Sequence, residues 1–177
     1  PPYYAFGYGR ALFIVLDNVE WRRFPGGAQA YCGRVGEDQL HFVKGLLDHT
    51  PDDRLIVLCM HIPLLSSDER DCGSNTSDRD ALIALLGERP AVSFSGHMHT
   101  CEHHYVGAGE RKHHHQVLTA LSGSWWSGPA GIDGLPVAQC SDGAPNGFYI
   151  LSIDGDRYST QFISRDTSRM RVVFAAP

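Results

Sequence analysis

Residues 54–60 read RLIVLCM and are followed directly by His61, and this stretch decides the fold of the chain. After its first residue it is continuously apolar and partly β-branched, which is typical of a strand that is covered on both faces of a sheet. Two runs of the same kind lie on either side of it in the sequence, ALFIVL at residues 11–16 and AVSFS at residues 91–95. The three runs predict three buried strands.

Helical patterns separate these predicted strands. Residues 38–48 place four apolar side chains at spacings of three and four, which predicts an amphipathic helix. Residues 81–86, ALIALL, predict a second helix, and Ser77 followed by Asp80 resembles a capping box at its start. Strands that alternate with helices predict a parallel sheet with right-handed crossovers, so this half of the chain is expected to be α/β.

After residue 100 the pattern changes to short strands separated by turn residues, which predicts a mainly antiparallel region. Asp154-Gly155 predicts a hairpin turn between two of these strands. We therefore expect a first domain over residues 1–106 and a β-rich second domain over residues 107–177. The predicted strands of the second pattern cover Glu102–Val106, Gln116–Ser122, Gly147–Ile153, Arg157–Ser164 and Met170–Phe174.

Composition excludes several classes of function. The net charge of −5 provides no basic surface, so we expect no nucleic-acid partner. No apolar run approaches the roughly 20 residues that a membrane span requires. The five cysteines contain no C-x-x-C pair, which argues against a thiolate zinc site and leaves one or two disulfides open. The sequence begins with Pro1 instead of methionine, so we expect a processed product or a piece of something longer.

Polar residues follow each predicted buried strand, and three of them are histidines. Asp17-Asn18 follow the first strand, His61 follows the second, and Gly96-His97-Met98-His99 follow the third. Because ligands bind at the carboxyl ends of the strands in open α/β sheets, we expect these groups to meet at one edge. On an extended backbone His97 and His99 would point to the same face. Either motif alone is more often structural, but together they predict a metal site; Asp17-Asn18 we interpret as structural.

Other histidines and aromatic residues offer weaker candidates. The outer pair of His113-His114-His115 has the spacing of His97 and His99, which suggests a second metal site or a substrate contact. The alternative, which we favour, is a run at a strand edge in contact with solvent. Trp126 would supply an aromatic wall or pack in the core. Asn146 would reach a phosphate or form a turn with the next residue.

These motifs carry a resemblance to a known family. LIVLCMHIPL followed by SFSGHMH resembles the last two metal-ligand motifs of the calcineurin-like metallophosphoesterases. YYAFGYGRALFIVLDN and GEDQLHFVKGLL are similar to the segments that precede them. The motifs HHHQV, SGSWWSG and DGAPNGFY resemble the carboxyl-terminal domain of one bacterial branch of the same family. The resemblance implies half of an αββα sandwich followed by a small, mainly antiparallel β region.

The resemblance also implies an activity, which is the hydrolysis of phosphate esters or anhydrides by a dinuclear metal centre. His61 and His97 would bind the second metal and His99 the first. The cofactors would be two divalent ions, and the imidazole ligands leave Mn, Fe, Zn, Co and Ni open. A phosphorylated small molecule would be the substrate, with His114, Trp126 and Asn146 as its expected contacts. The family branch favours an exported or periplasmic protein.

The sequence departs from the family in one respect. The motifs D-x-H, G-D-x-x-D and G-N-H-D, which supply the other ligands, do not occur in it. We therefore expect the amino-terminal half of the same enzyme as a partner, and we expect these 177 residues alone to be inactive or nearly so. An uncovered sheet also allows self-association into a homo-oligomer. The alternative function is a non-catalytic, histidine-rich module that binds metal or complements another polypeptide.

Overall fold

The computed structural model describes most of the chain. The described residues are 1–23, 27, 29–68, 71–107, 112–121, 130–132, 134, 140, 142–164 and 173–175. Two helices lie among them, α1 (Glu37–Leu47) and α2 (Arg79–Leu86). The strands in chain order are β1 (Tyr4–Tyr8), β2 (Ala11–Val15), β3 (Val19–Arg23), β4 (Gln29–Gly33), β5 (Leu55–Cys59), β6 (Ala91–Ser95), β7 (Glu102–Val106), β8 (His113–Val117), β9 (Gly147–Asp154), β10 (Arg157–Ser164) and β11 (Val173–Ala175).

The main sheet has six strands in the order β1-β2-β5-β6-β8-β7. The three buried runs of the sequence form β2, β5 and β6, which pair in parallel at its centre. Side chains alternate between the two faces of β5: Ile56 and Leu58 pack against both helices, while Leu55 and Val57 face the sheet formed by β9 and β10. The predicted α/β fold class is confirmed.

β8 differs from its prediction in position and in direction. The strand was expected over Gln116–Ser122, but it begins at His113 and ends at Val117. It pairs in parallel with β6 and antiparallel with β7, so this part of the second pattern is not a separate antiparallel region. The main sheet thus continues across residue 106, where we expected a boundary between domains; the division itself stays a prediction.

Two small antiparallel sheets complete the described structure. β9, β10 and β11 form one of them, and Asp154 pairs with Arg157 at its hairpin. The two turn residues are therefore Gly155 and Asp156, one position later than predicted, and Gly155 adopts the positive φ of 65° that the turn requires. β3 and β4 form a second hairpin that the sequence analysis did not predict.

The capping box expected at α2 is not present. Asp78 is the N-cap of this helix, and no side chain caps its first turn. The Ser77 hydroxyl instead donates a hydrogen bond to the carbonyl of Gly33 at 3.0 Å. The Asp78 carboxylate accepts hydrogen bonds from the amides of Val35 and Gly36, at 2.9 and 2.8 Å. These two residues therefore tie α2 to the segment that leads into α1. Neither described helix has the length and apolar character that crossing a bilayer requires.

The histidine run of β8 is buried, and the expectation of solvent contact at a strand edge is wrong. His113, His114 and His115 are 7%, 5% and 0% exposed, because β8 is an inner strand of the main sheet. The Ser93 hydroxyl lies between two of them, 2.8 Å from His113 Nε2 and 2.7 Å from His115 Nδ1. Burial lowers the pKa of His113 to about 4 and that of His115 well below its ordinary value. These imidazoles are therefore neutral at physiological pH.

This burial predicts an acid-sensitive fold. An imidazole whose pKa is lower in the folded state than in the unfolded chain takes up its proton more readily on unfolding. Its stabilisation is therefore complete above pH about 6.5 and is lost as the pH falls toward 4, with a loss of about 3 kcal/mol for a shift of the size found at His113. Urea unfolding at a series of pH values should show this decline.

The matched variants are His113→Gln and His41→Gln, the second at an exposed histidine of α1. His113→Gln should reduce the slope of the free energy of unfolding against pH, between pH 6.5 and 4, by the amount that corresponds to about one bound proton. His41→Gln should leave this slope unchanged. If His113→Gln has the same slope as the unmodified chain, His113 is not a source of the acid sensitivity.

Candidate metal centre

The carboxyl ends of β2, β5 and β6 bring the predicted polar residues to one edge of the main sheet. Met60 separates His61 from the end of β5, and Gly96 begins the loop that follows β6. The Gly96 amide donates a hydrogen bond to the carbonyl of His61 at 3.2 Å, and the Met60 amide donates to the carbonyl of Phe94 at 3.1 Å. The two histidine-bearing loops are thus joined through their backbones.

Asn18 organises this edge from the end of β2. Its side chain is fully buried, and its Oδ1 accepts hydrogen bonds from the amides of His61 and Ile62 at 3.2 and 3.0 Å. Its Nδ2 donates to the carbonyl of Ile62 at 2.6 Å and to Thr76 Oγ1 at 2.8 Å. We interpreted Asn18 from sequence as structural; the structure shows that it holds the backbone of a predicted metal ligand.

His61 and His97 form a contacting pair. His61 Nε2 and His97 Nδ1 are 3.1 Å apart, and the ring planes meet at 70° with centroids 4.9 Å apart. Two nitrogen ligands about 2.1 Å from one ion lie about 3.0 to 3.4 Å apart across the range from octahedral to tetrahedral angles. The observed separation falls within this range. The two nitrogens are within hydrogen-bonding distance, and their separation also matches that of two adjacent ligands of one divalent ion.

The loop that follows β6 is not extended as we expected. His97 and His99 have φ values of 71° and 54°, which are uncommon for residues other than glycine. The inference that their two-residue spacing on a straight strand places both rings on one face is therefore wrong. His99 nevertheless lies close enough to His97 to lower its pKa by charge repulsion. Strained backbone of this kind is concentrated at functional sites.

The surroundings of His97 favour the neutral ring. Burial lowers its pKa most, and charge repulsion from His61 and His99 adds to this effect. A hydrogen bond with the backbone of Gly73 and the charge of Asp71 act in the opposite direction. A metal ligand must be deprotonated, so an imidazole with a lowered pKa is suited to binding an ion.

Tyr31 contacts the pair and was missed by the sequence analysis. Its hydroxyl lies 3.5 Å from His97 Nε2, and its ring meets the imidazole edge-on at 80°. Tyr31 belongs to β4, and the β3–β4 hairpin was not predicted. The signal that would have found it is Pro25-Gly26-Gly27, a turn sequence between two runs that contain β-formers.

The structure describes two of the three residues that we expected to contact substrate. His114 is buried, with its Nδ1 2.5 Å from the hydroxyl of Tyr158 and its ring stacked on Tyr105 at 4.7 Å. Asn146 is buried directly before β9. Trp126 lies outside the described residues. Their roles toward a substrate stay predictions.

The complete ligand set of a metal centre is not found in the described ranges. No group of three or more His, Cys, Asp and Glu side chains there is arranged to hold an ion. What the described residues provide is the pair His61 and His97, with His99 beside it.

Comparisons with known proteins agree with this fold. Residues 114–174 match the family model described as the C terminal of calcineurin-like phosphoesterase. The fold is similar to a solved structure of PhoD, with a TM-score of 0.57 and 13% sequence identity. That match covers 98% of this chain and 40% of the PhoD chain, so the chain spans less than half the length of that protein. No curated protein matches the sequence.

Together the family model and the fold confirm the resemblance. Over residues 114–174 the chain matches a C-terminal calcineurin-like phosphoesterase domain, as the motifs HHHQV and DGAPNGFY indicated. At 13% identity the likeness to PhoD concerns the fold alone.

The role of Asn18 leads to a testable prediction. Asn18→Ala leaves buried amides of the His61 loop without partners, and we expect the free energy of unfolding to fall by about 3 kcal/mol. Thr76→Ser keeps the hydroxyl that accepts one of the four Asn18 hydrogen bonds and donates to the carbonyl of Pro63, and it should cost less, about 1 kcal/mol. Urea unfolding measures both changes. Equal losses in the two variants, or a loss below about 1 kcal/mol for Asn18→Ala, would contradict this role.

Proposed function

We propose that this chain is part of a metal-dependent phosphoesterase that hydrolyses phosphate esters or anhydrides of a small molecule. His61, His97 and His99 contribute ligands to a centre of two divalent ions. The observation that carries the proposal is the 3.1 Å separation of His61 Nε2 and His97 Nδ1, at the carboxyl edge of a parallel sheet. The family model over residues 114–174 supports the same class of enzyme.

Other residues of this chain orient the proposed metal ligands His61 and His97. When bound, two divalent ions lower the pKa of a water and offset the charge of a phosphoryl group. Asn18 holds the backbone of His61 through two amides, and Tyr31 contacts the His97 ring from the side. Burial lowers the pKa of the His97 imidazole, which favours the neutral form that a metal ligand needs. The ligands are therefore oriented by hydrogen bonds and ring contacts within this chain.

The rest of the site belongs, in this proposal, to the amino-terminal half of the same enzyme. The PhoD chain is much longer than the part that this chain matches, and this supports a second segment. Carboxylate ligands from that segment would offset the repulsion between two ions. The chain alone would then have little or no phosphatase activity. The identity of the ions stays open among Mn, Fe, Zn, Co and Ni.

The cysteines support an exported or periplasmic location. Cys32 and Cys72 form a disulfide. Disulfides form and persist in oxidising compartments and are rare in the cytosol. This agrees with the location that the family branch favours.

A second candidate function is a non-catalytic module that binds metal. The observation that favours it is the histidine pair itself, which would hold an ion without taking part in hydrolysis. Both functions require metal binding, and they differ in whether the chain supports hydrolysis once the amino-terminal half is present.

Removal of His97 should abolish metal binding under either function. We expect His97→Ala to raise the dissociation constant for Zn²⁺ or Mn²⁺ by more than about 100-fold, since loss of a partner that merely orients a ligand already costs about 10- to 100-fold. Isothermal titration calorimetry measures the change. His41→Ala, at an exposed histidine of α1, is the control and should bind as the unmodified chain does.

Hydrolysis of p-nitrophenyl phosphate with added Mn²⁺ or Zn²⁺ separates the two functions. The chain joined to its amino-terminal half should turn over the substrate, and His97→Ala in the joined protein should not. Metal binding without turnover in the joined protein would favour the non-catalytic module. Robust turnover by the chain alone that depends on His97 would contradict the proposed division of the site.

An exposed aromatic surface at β1 is where we propose that the amino-terminal half docks. Tyr4 and Phe6 are 55% and 47% exposed, and Phe6 stacks on Phe13 of β2 with centroids 5.0 Å apart. Phe13 lies on the face of the main sheet that also packs against Leu151 and Ile153 of β9. The small sheet thus covers part of this face, and the aromatic surface adjoins the covered part.

Phe6→Ser should weaken association of the two halves by about 10-fold or more, since it removes a large apolar contact. Phe148→Ser, at a phenylalanine of β9 that is 51% exposed, is the matched control. Calorimetric titration of the separately purified halves gives both values. Equal weakening by the two variants would exclude the β1 surface as the docking site.

A further inference from the structure

The β3–β4 hairpin is fastened to the loop that precedes α2. The disulfide joins Cys32 of the hairpin to Cys72 of the loop. Beside it, the Gly33 amide donates a hydrogen bond to the carbonyl of Cys72 at 2.7 Å, and the Ser77 amide donates to the carbonyl of Gly33 at 2.8 Å. Gly33 and Thr76 also form a parallel bridge. The two segments are therefore held by one covalent link and several backbone contacts.

The backbones approach so closely that only glycine fits at position 33. A Cβ at Gly33 would lie 2.4 Å from the carbonyl oxygen of Asn75 and 2.8 Å from a methyl group of Ile62. Real side chains do not tolerate such distances, and the nearest obstacle is backbone, which cannot rotate away. The hairpin and the loop are thus packed without a side chain between them at this point.

Both fastened segments contact the same imidazole, that of His97. Tyr31, the residue before Cys32, meets the ring edge-on with centroids 5.5 Å apart. Gly73, the residue after Cys72, makes a backbone hydrogen bond with it. The covalent link therefore lies one residue away from each of the two contacts on the ring.

Tyr31 is itself supported from its outer side. Trp21 of β3 meets the Tyr31 ring edge-on at 77°, with centroids 5.6 Å apart, and 69% of Trp21 is exposed. A row of three rings thus runs from the surface of the hairpin to His97. Displacement of the hairpin would move Tyr31 away from the imidazole.

We propose that the Cys32–Cys72 disulfide and Tyr31 form a clamp that fixes the orientation of the His97 ring. Tyr31 is a positioning residue in this proposal, because it acts through His97. The part of the inference that concerns metal affinity rests on the proposed function, whereas the part that concerns the ring does not. Partners that orient a metal-binding histidine typically change affinity by about 10- to 100-fold.

The clamp differs from a disulfide that only stabilises the fold. A stabilising crosslink changes the free energy of unfolding and leaves the native environment of His97 as it was. A clamp changes the environment of His97 under conditions in which the chain is fully folded. The readout must therefore be the imidazole itself.

The experiment compares Tyr31→Ala and the double variant Cys32→Ser with Cys72→Ser against matched controls. Tyr8→Ala removes an exposed tyrosine of β1, and Cys140→Ser changes a cysteine outside the disulfide. Imidazole ¹H–¹⁵N NMR spectra, with the His97 signals assigned by their loss in His97→Ala, report the ring. The Zn²⁺ dissociation constant is measured by competition with a chromophoric chelator.

We expect both clamp variants to shift the His97 signals and to raise the Zn²⁺ dissociation constant by about 10-fold or more, while the controls change neither. Tyr31→Phe retains the edge-on ring contact and should keep affinity within about threefold of the unmodified chain. If the double variant fails to fold, Tyr31→Ala and Tyr31→Phe still decide the question. Unchanged His97 signals in folded Tyr31→Ala would overturn the clamp.

The outcome separates this inference from the proposed function. If the unmodified chain binds Zn²⁺ no more tightly than His97→Ala does, the assignment of His97 as a ligand fails, and the NMR signals still decide on the clamp. A second outcome is that the unmodified chain binds Zn²⁺ through His97 while both clamp variants bind it as tightly as the unmodified chain does. In that case the clamp does not control metal affinity, and His97 remains the proposed ligand.

Discussion

Parallel strands end in loops whose backbone groups lose the partners that the sheet provides, and in this chain the buried Asn18 amide supplies them. It bonds to two amides and one carbonyl of the loop after β5, and to the hydroxyl of Thr76. One short side chain therefore joins the end of β2, the His61 loop and the segment before α2. The positions of His61 and His97 depend on this junction, because the His61 carbonyl in turn accepts the Gly96 amide.

The same region shows why the site needs support from outside the main sheet. A sheet edge fixes where its loops begin, but it does not fix the rotation of an imidazole about its side-chain bonds. Around His97 that constraint comes from the β3–β4 hairpin and from the loop before α2, both of which contact the ring. The parallel sheet thus sets the distance between the loops, and the hairpin restricts the ring.

The sequence predicted those parts of the fold that are governed by burial of continuous apolar runs. β2 and β5 were found because no polar residue interrupts the runs that form them, and β6 was found because Ser93 is the one polar residue between its apolar side chains. β8 was misplaced because His113, His114 and His115 have a polar pattern, and their burial depends on partners such as Ser93 that no local pattern reveals. The hairpin was missed because Trp21 and its neighbours in β3 are largely exposed, so no buried run marks it.

For the site, the sequence identified His61 and His97 as neighbours but not the means by which they meet. The expected extended backbone after β6 would have placed His97 and His99 on one face, whereas both residues adopt positive φ. Such a conformation is set by the loop that closes on the His61 carbonyl and has no signature in residue type. Tyr31 lies 66 residues before His97, and its contact follows from tertiary packing alone.

Hydrogen bonding separates the histidines of β8 from the pair at the sheet edge. The Leu64 amide can only donate, so His115 Nε2 must accept it, and the proton of His115 resides on Nδ1. Nδ1 then donates a hydrogen bond to the Ser93 hydroxyl, and this hydroxyl donates one to His113 Nε2. These lone pairs are occupied within the fold. His61 Nε2 and His97 Nδ1 instead lie within hydrogen-bonding distance of each other, and in the proposed function one ion takes the place of the proton between them. The two groups of histidines therefore differ in their partners: those of β8 bond to a serine hydroxyl and a backbone amide inside the fold, whereas His61 and His97 contact each other at the edge of the sheet.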